Sequence, residues 1–199
     1  MIKPLGVCCL FLLCITVSGC VWSSVLSTDW SDNIALTSYG TQATHPALND
    51  GKRDTIATAT LRNKERVFGI KFDSVKPVRR IVIYNHNLFR FDVDYRDTKA
   101  SEPKWKNAHS VRQRRGVGDQ RAQPKFVIDR LNFQTDVIRI KVSRTVDDRV
   151  ISKPIADPDD MIVDHIRRTV GGRYVEYFRV IAPSIAAVNE IEVYHLAAE

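Results

Sequence analysis

The sequence predicts an all-β protein, an antiparallel sandwich of two sheets, on three observations. Apolar and polar residues alternate along run after run between Val67 and Tyr194, which is the signature of half-buried strands. Turn-forming Gly, Pro, Asn and Asp punctuate these runs. No segment keeps an apolar period of three to four residues through three turns, so any helices should be short.

Each run assigns its own inner face. In "VFGIKF" Phe68, Ile70 and Phe72 share one side, and in "RRIVIY" Ile81 and Ile83 do so. "FRFDVDY" lines up Phe89, Phe91, Val93 and Tyr95. "DVIRIKV" sets Ile138, Ile140 and Val142 against Arg139 and Lys141. "YVEYFRVIA" and "NEIEVY" continue with Phe178, Val180, Ile191 and Val193. Val170-Gly171-Gly172-Arg173 is a hairpin signal, because both glycines accept positive φ, and it should pair "MIVDHIRRTV" with "RYVEYFRVIA". The chain has no internal repeat and no low-complexity tract.

The amino terminus reads differently. "MIKPLGVCCLFLLCITVSGC" has one charge, Lys3, then an apolar run from Leu5 to Val17, then small residues. That is the layout of a secretory signal peptide, and the run is too short to span a bilayer, which takes about 20 residues. All four cysteines lie in the first 20 residues and none in the 179 that follow. "VSGC" resembles the lipobox of bacterial lipoproteins, which implies cleavage before Cys20 and acylation of its thiol. Cys8, Cys9 and Cys14 then serve as small apolar residues of the leader. The expected division is 1–19 leader, 20–31 lipidated tether and 32–199 one β-sandwich domain without disulfides. More than one acyl chain makes a stable membrane anchor. The expected place is the bacterial cell envelope; in a Gram-negative rod, Val21 stands where an aspartate would retain such a protein in the inner membrane, so there the outer membrane is expected. Of the tether's two tryptophans, Trp22 and Trp30, Trp30 is the one expected to dock onto the domain.

The formal net charge is +7, and loss of Lys3 leaves +6. On an exported chain this favours anionic envelope surfaces or acidic glycans and argues against nucleic acid.

Two stretches bracket the alternating runs: "SYGTQATHPALNDGKRDT" before them and "AVNEIEVYHL" after. Between lie "VKPVRRIVIYNHN", "FDVDYRD" and "KW". In this order they resemble the discoidin family, which comprises coagulation-factor type C domains and family 32 carbohydrate-binding modules. The resemblance runs from Ala35 to Leu196, with a departure between Val146 and Tyr177. It implies a jelly-roll β-sandwich of the galactose-binding type, here with an inserted hairpin, and a non-catalytic module that recognises carbohydrate through loops at one end.

The resemblance also implies sites. A structural calcium ion would be held by Asp50, Thr55 and Glu190, stapling the two ends of the domain. This chain departs from the family pattern at Lys52, where an acidic residue is common, and at Ile56 and Ala57, where a tryptophan is absent. Sugar contacts would come from Asn85, His86 and Asn87, with Arg112 and Arg114, because planar donors and acceptors suit ring hydroxyls. Trp105, nearby in sequence, is the candidate for the aromatic face against the sugar, but the preferred reading is that it matches the tryptophan that the family packs in its core.

The remaining motifs are weaker. "RQRRGVGDQRAQPK" is a basic loop and not a dinucleotide fingerprint, since it lacks the third glycine. "IADPDDM" sets Asp157, Asp159 and Asp160 in a proline-bounded loop of the insertion. Asp92/Asp94 and Glu190/Glu192 each share a strand face and read as solvent-side pairs. Nothing marks a nucleophile, a zinc helix or two opposed carboxylates, so no enzymatic activity is expected. An alternative role is that of an assembly subunit, docking an envelope protein through the 146–177 insertion.

Overall fold

The computed structural model describes residues 29–62, 65–99, 102, 104–113, 122–158 and 160–197. In chain order its strands are β1 (Gln42–Ala43), β2 (Ala57–Thr58), β3 (Thr60–Arg62), β4 (Glu65–Val78), β5 (Arg80–Asn85) and β6 (Leu88–Asp97). They continue with β7 (Lys104–Arg112), β8 (Lys125–Ile128), β9 (Phe133–Thr145), β10 (Arg149–Lys153), β11 (Ile162–Val170), β12 (Arg173–Ala182) and β13 (Ala187–Tyr194). The helical content among the described residues is two short 3₁₀ turns, Thr37–Tyr39 and Pro46–Leu48.

The strands form three antiparallel sheets. The first has the order β1-β4-β9-β6-β7, with β3 also on β4; the second is β2-β13-β5-β8; the third is β10-β12-β11. The first two stack as a jelly-roll sandwich. Phe68, Ile70, Phe91, Val93, Ile138 and Ile140 from one face meet Ile81, Ile83, Phe126, Ile191 and Val193 from the other, all buried. Phe91 and Phe126 join the sheets edge to face, with centroids 5.0 Å apart. Each such side chain contributes about 1.5–3 kcal/mol of transfer free energy. The inner faces assigned to β4, β5, β9 and β13 are the faces that the core buries, and in β6 Phe91 and Val93 are in the core as assigned. Phe89 is not: the register of β6 shifts between Leu88 and Phe91, and Leu88 takes the core place instead, while Tyr95 stacks on Phe133 outside the core cluster.

The ends of the domain meet. Trp30 forms a β-bridge with Leu196, the Ile34 amide donates to the Val193 carbonyl, and the Arg80 guanidinium sits 5.1 Å from the Trp30 ring. Trp30 is thus docked, as expected.

The departure from the resemblance is the third sheet. β11 and β12 pair from Val170↔Arg173 back to Ile162↔Val180, and Gly171 and Gly172 both have positive φ. A buried ion pair joins this insertion to the sandwich. Arg66 of β4 donates to Asp148, whose carboxylate also accepts the Thr145 amide, the Thr145 hydroxyl and the Ser184 amide. In the "IADPDDM" loop, Lys153 takes Asp157 and Asp160 at 2.9 and 2.8 Å, so an internal ammonium meets these two carboxylates.

Candidate functional site: a groove on the outer sheet face

Strand β7 has an extra residue. Val93 pairs with His109 and Asp94 with Asn107, which leaves Ala108 unpaired as a β-bulge. A one-residue insertion exchanges the two faces of everything beyond it. Val111 and Ala108 pack against the core, while Asn107 and Trp105 turn to the outer face of the first sheet. The assignment of Trp105 to the core is therefore corrected: the indole is 42% exposed.

The indole is held in place from beneath. The Arg139 guanidinium stacks 4.0 Å from its ring. Arg139 Nε donates to Asp94 Oδ2 at 3.0 Å, and Asn107 Nδ2 donates to Asp94 Oδ1 at 3.1 Å. Asp94 is buried under this stack, so Asp92/Asp94 is not a solvent-side pair. One face of Trp105 is committed to a fixed cation, and the platform loses little side-chain entropy when a ligand covers its other face.

Beside this stack runs a groove of about 600 Å³. Its floor is Val67, Gly69 and Val137, its far wall Gln42, Thr44 and Thr60, and its ends Lys71 and Glu65. Gly69 keeps the floor low, because a Cβ there would stand 3.0 Å from Thr44 Cγ2. The Gly69 amide donates to Thr44 Oγ1, so the Thr44 hydroxyl proton remains free to donate outward. Gln42 and Lys71 are exposed, and no described residue engages their polar groups. A flat aromatic face, an apolar floor and a rim of amide, hydroxyl and ammonium groups suit a pyranose ring, which has one apolar side and an edge of hydroxyls.

The loop end is arranged differently. Asn85 donates to the carbonyls of Leu88 and Gln123 and accepts the Leu88 amide. Asn87 donates to Asp147 and to the Ile185 carbonyl and accepts the Ala187 amide. Both amides are buried and spent on the scaffold. Between them His86 is exposed. Arg112 is tied to the Phe91 carbonyl and the Asp92 carboxylate on the outer sheet face. Arg114, most of the basic loop, and Cys20 lie outside the described residues. Of the four candidates among the described residues, Asn85 and Asn87 are thus buried, and His86 and Arg112 are exposed.

Asp50, Thr55 and Glu190 do come together, on the outer face of the second sheet. The Lys52 amide donates to Asp50 Oδ1 at 2.8 Å and the Thr55 hydroxyl to Asp50 Oδ2 at 3.0 Å, curling the 50–55 loop over β13. Glu190 beneath is 1% exposed, and neither carboxylate oxygen has a hydrogen-bond partner. Burial pushes its carboxyl up to about 8, and the charges of Asp50 and Glu192 push the same way. Glu192 is also buried, taking the Arg53 guanidinium at 2.8 Å and the Tyr194 hydroxyl at 2.8 Å. Glu190/Glu192 is thus a covered pair, not a solvent-side one. An orphaned buried carboxylate beside a second carboxylate and a hydroxyl is a donor set that fits a hard cation. Among the described residues no group of three His, Cys, Asp or Glu converges on a common point, so the rest of any shell would be carbonyl and water oxygen.

No family model and no curated relative matches the sequence. Solved structures do match. The family 32 carbohydrate-binding module from Streptococcus pneumoniae EndoD is 13% identical with a TM-score of 0.48, covering 83% of this chain and 99% of its own. Chitosan-binding module 2 of a Paenibacillus sp. IK-5 chitosanase/glucanase, solved with chitotriose, is 14% identical at TM-score 0.48, covering 82% and 100%. The family 32 module of Clostridium perfringens NanJ, solved with galactose, is 11% identical at TM-score 0.44, covering 78% and 92%. The chain is similar to these modules over about four-fifths of its length, and that similarity is one of fold.

Proposed function

We propose that the protein is a non-catalytic, lipid-anchored recognition module that binds carbohydrate, with a pyranose ring stacked on Trp105. The observation that carries this reading is the exposed indole fixed on Arg139 at the side of an open groove. A rigid aromatic platform ringed by uncommitted donors is costly to maintain unless something covers it. The carboxylates around the groove support a binding role over a hydrolytic one. Asp94 is bound to Arg139, Asp92 to Arg112 and Glu65 to Lys141, so each is already ion-paired and no two of them oppose each other across the groove as a hydrolytic pair would.

The anchor at Cys20 and residence at the outer membrane complete the proposal; nine residues separate that cysteine from Trp30 in the sequence. Intact-mass measurement of the protein isolated from its host should find Cys20 at the amino terminus carrying acyl chains, and a bare thiol there would remove the anchor from the account. A calcium ion, if bound, would be held by Glu190, Asp50 and Thr55 and would act structurally, tying the 50–55 loop to β13.

A glycan-array screen of the soluble domain tests the function. Binding that disappears in Trp105→Ala and persists in His86→Ala supports the groove. Loss in His86→Ala with Trp105→Ala unaffected would move the site to the loop end, and an array with no hits would remove carbohydrate recognition.

A further inference from the structure

The third sheet ends in an open edge. Strand β11 pairs with β12 on one side, and no strand among the described residues pairs with its other side. It is nine residues long, and Ile162, Val163 and Val170 on it are each about half exposed. A long unpaired edge is a template for another strand; of the devices that keep such an edge solitary this one has a bulge and charged side chains at Asp164, Arg167 and Arg168, but neither proline nor brevity. From Asp164 to Val170 this one runs regularly, with a bulge only at Val163.

The edge sequence is self-complementary. Read antiparallel to itself about Ile166, "IVDHIRRTV" sets Asp164 against Arg168 of a second copy, Ile166 against Ile166, and Arg168 against Asp164. The backbone parity agrees. Val170 and Arg173 close the two-residue Gly171-Gly172 loop as a hydrogen-bonded pair, so alternate residues Arg168, Ile166 and Asp164 point their amides and carbonyls at β12. His165, Arg167 and Thr169 point theirs outward, free for a new ladder. Ile166 is then a non-hydrogen-bonded pair with its own copy, the closer of the two antiparallel spacings.

The side-chain rows match as well. Ile166 already lies opposite Tyr177 on β12, so pairing makes one apolar row of Tyr177, Ile166, Ile166 and Tyr177 across the joint. Asp164, 3.9 Å from Arg179, gains Arg168 of the second copy on its open side. On the reverse face His165 meets Arg167, and Glu176 of each copy, 3.4 Å from His165 and 3.7 Å from Arg167, flanks the pair.

From this juxtaposition we infer that β11 is a self-association edge: two copies pair their β11 strands antiparallel about Ile166, fusing two three-stranded sheets into one of six. The interface is isologous and closes at two copies. It does not depend on what the groove binds, and it would display two grooves on one particle, raising avidity for a repeated ligand.

The full chain in detergent, followed by sedimentation velocity, should show a monomer–dimer equilibrium in the micromolar range. Asp164→Arg should shift it to monomer by at least tenfold in dissociation constant, and Asp164→Arg combined with Arg168→Asp should restore the dimer. Ile166→Cys should form an intermolecular disulfide under mild oxidation, since the two Cβ atoms sit within disulfide reach, while Thr169→Cys should not. Monomer at every concentration, a dimer indifferent to Asp164→Arg, a double variant that stays monomeric, or an Ile166→Cys variant that crosslinks only to a different protein would each overturn the inference.

Discussion

Replacing Asp148 with asparagine removes the charge at the joint between the insertion and the sandwich. The Asp148 side chain is 0% exposed and receives Arg66 at 2.8 Å, the Ser184 amide at 2.8 Å and the Thr145 hydroxyl at 2.7 Å. Burial alone would raise its carboxyl, but the Arg66 guanidinium and the Ser184 and Thr145 donors outweigh it and hold the group at about 2. The drop from 3.8 to about 2 is worth about 2–3 kcal/mol of folding stability. A depressed carboxylate contributes above its unfolded-state value, so this share is present from about pH 4 upward and fades as pH falls through 2. Stranding Arg66 adds to the loss, and breaking a buried pair costs about 3–5 kcal/mol in all. Arg66 keeps the Ser143 and Ser184 carbonyls, which sets the expectation at the lower end, about 3 kcal/mol. Urea unfolding of wild type and Asp148→Asn at pH 7 and near pH 2 measures both parts. The gap should be large at pH 7 and narrow in acid. A difference below about 1 kcal/mol at pH 7, or one that does not narrow, would refute the reasoning.

Three further outcomes are expected. Trp105→Ala should leave unfolding midpoints nearly unchanged, because the indole is largely outside the core, yet weaken glycan binding by about thirtyfold, or about 2 kcal/mol, in calorimetric titration. In chelator, wild type should lose stability as pH rises from about 4.5 through about 8, since folding holds Glu190 protonated above its ordinary range. Glu190→Gln should flatten that slope and abolish any rise in Tm on adding calcium. Gly172→Val forces a β-branched residue to φ near 77° and should cost about 1–2 kcal/mol locally. Hydrogen exchange should then show faster opening of β11 and β12 and no change in β4, β9 or β13.

Period-two alternation sufficed for the sandwich because its inner faces are continuous: Phe68, Ile70, Ile81, Ile83, Ile138, Ile140, Ile191 and Val193 all lie where parity puts them. The Gly171-Gly172 hairpin was legible for the same local reason. The site was not. Trp105 sits between Lys104 and Lys106, a pattern that points a tryptophan inward, and only the unpaired Ala108 reverses it. A bulge is a property of two strands at once and leaves no mark in one. Asn85 and Asn87 look like free loop amides in sequence, but the backbone groups that consume them come from residues 123, 185 and 187. Glu190 and Glu192 alternate outward as expected; what buries them is the 50–55 loop folding back over β13, a contact between residues about 140 positions apart.

Carbohydrate recognition in the Trp105 groove is tested most directly by a crystal structure of the domain with the strongest glycan from an array screen. The account predicts a pyranose ring lying flat on the indole, with hydroxyls within hydrogen-bond reach of Gln42, Thr44 or Lys71. A ligand held at the His86 turn, with the groove vacant, would contradict it.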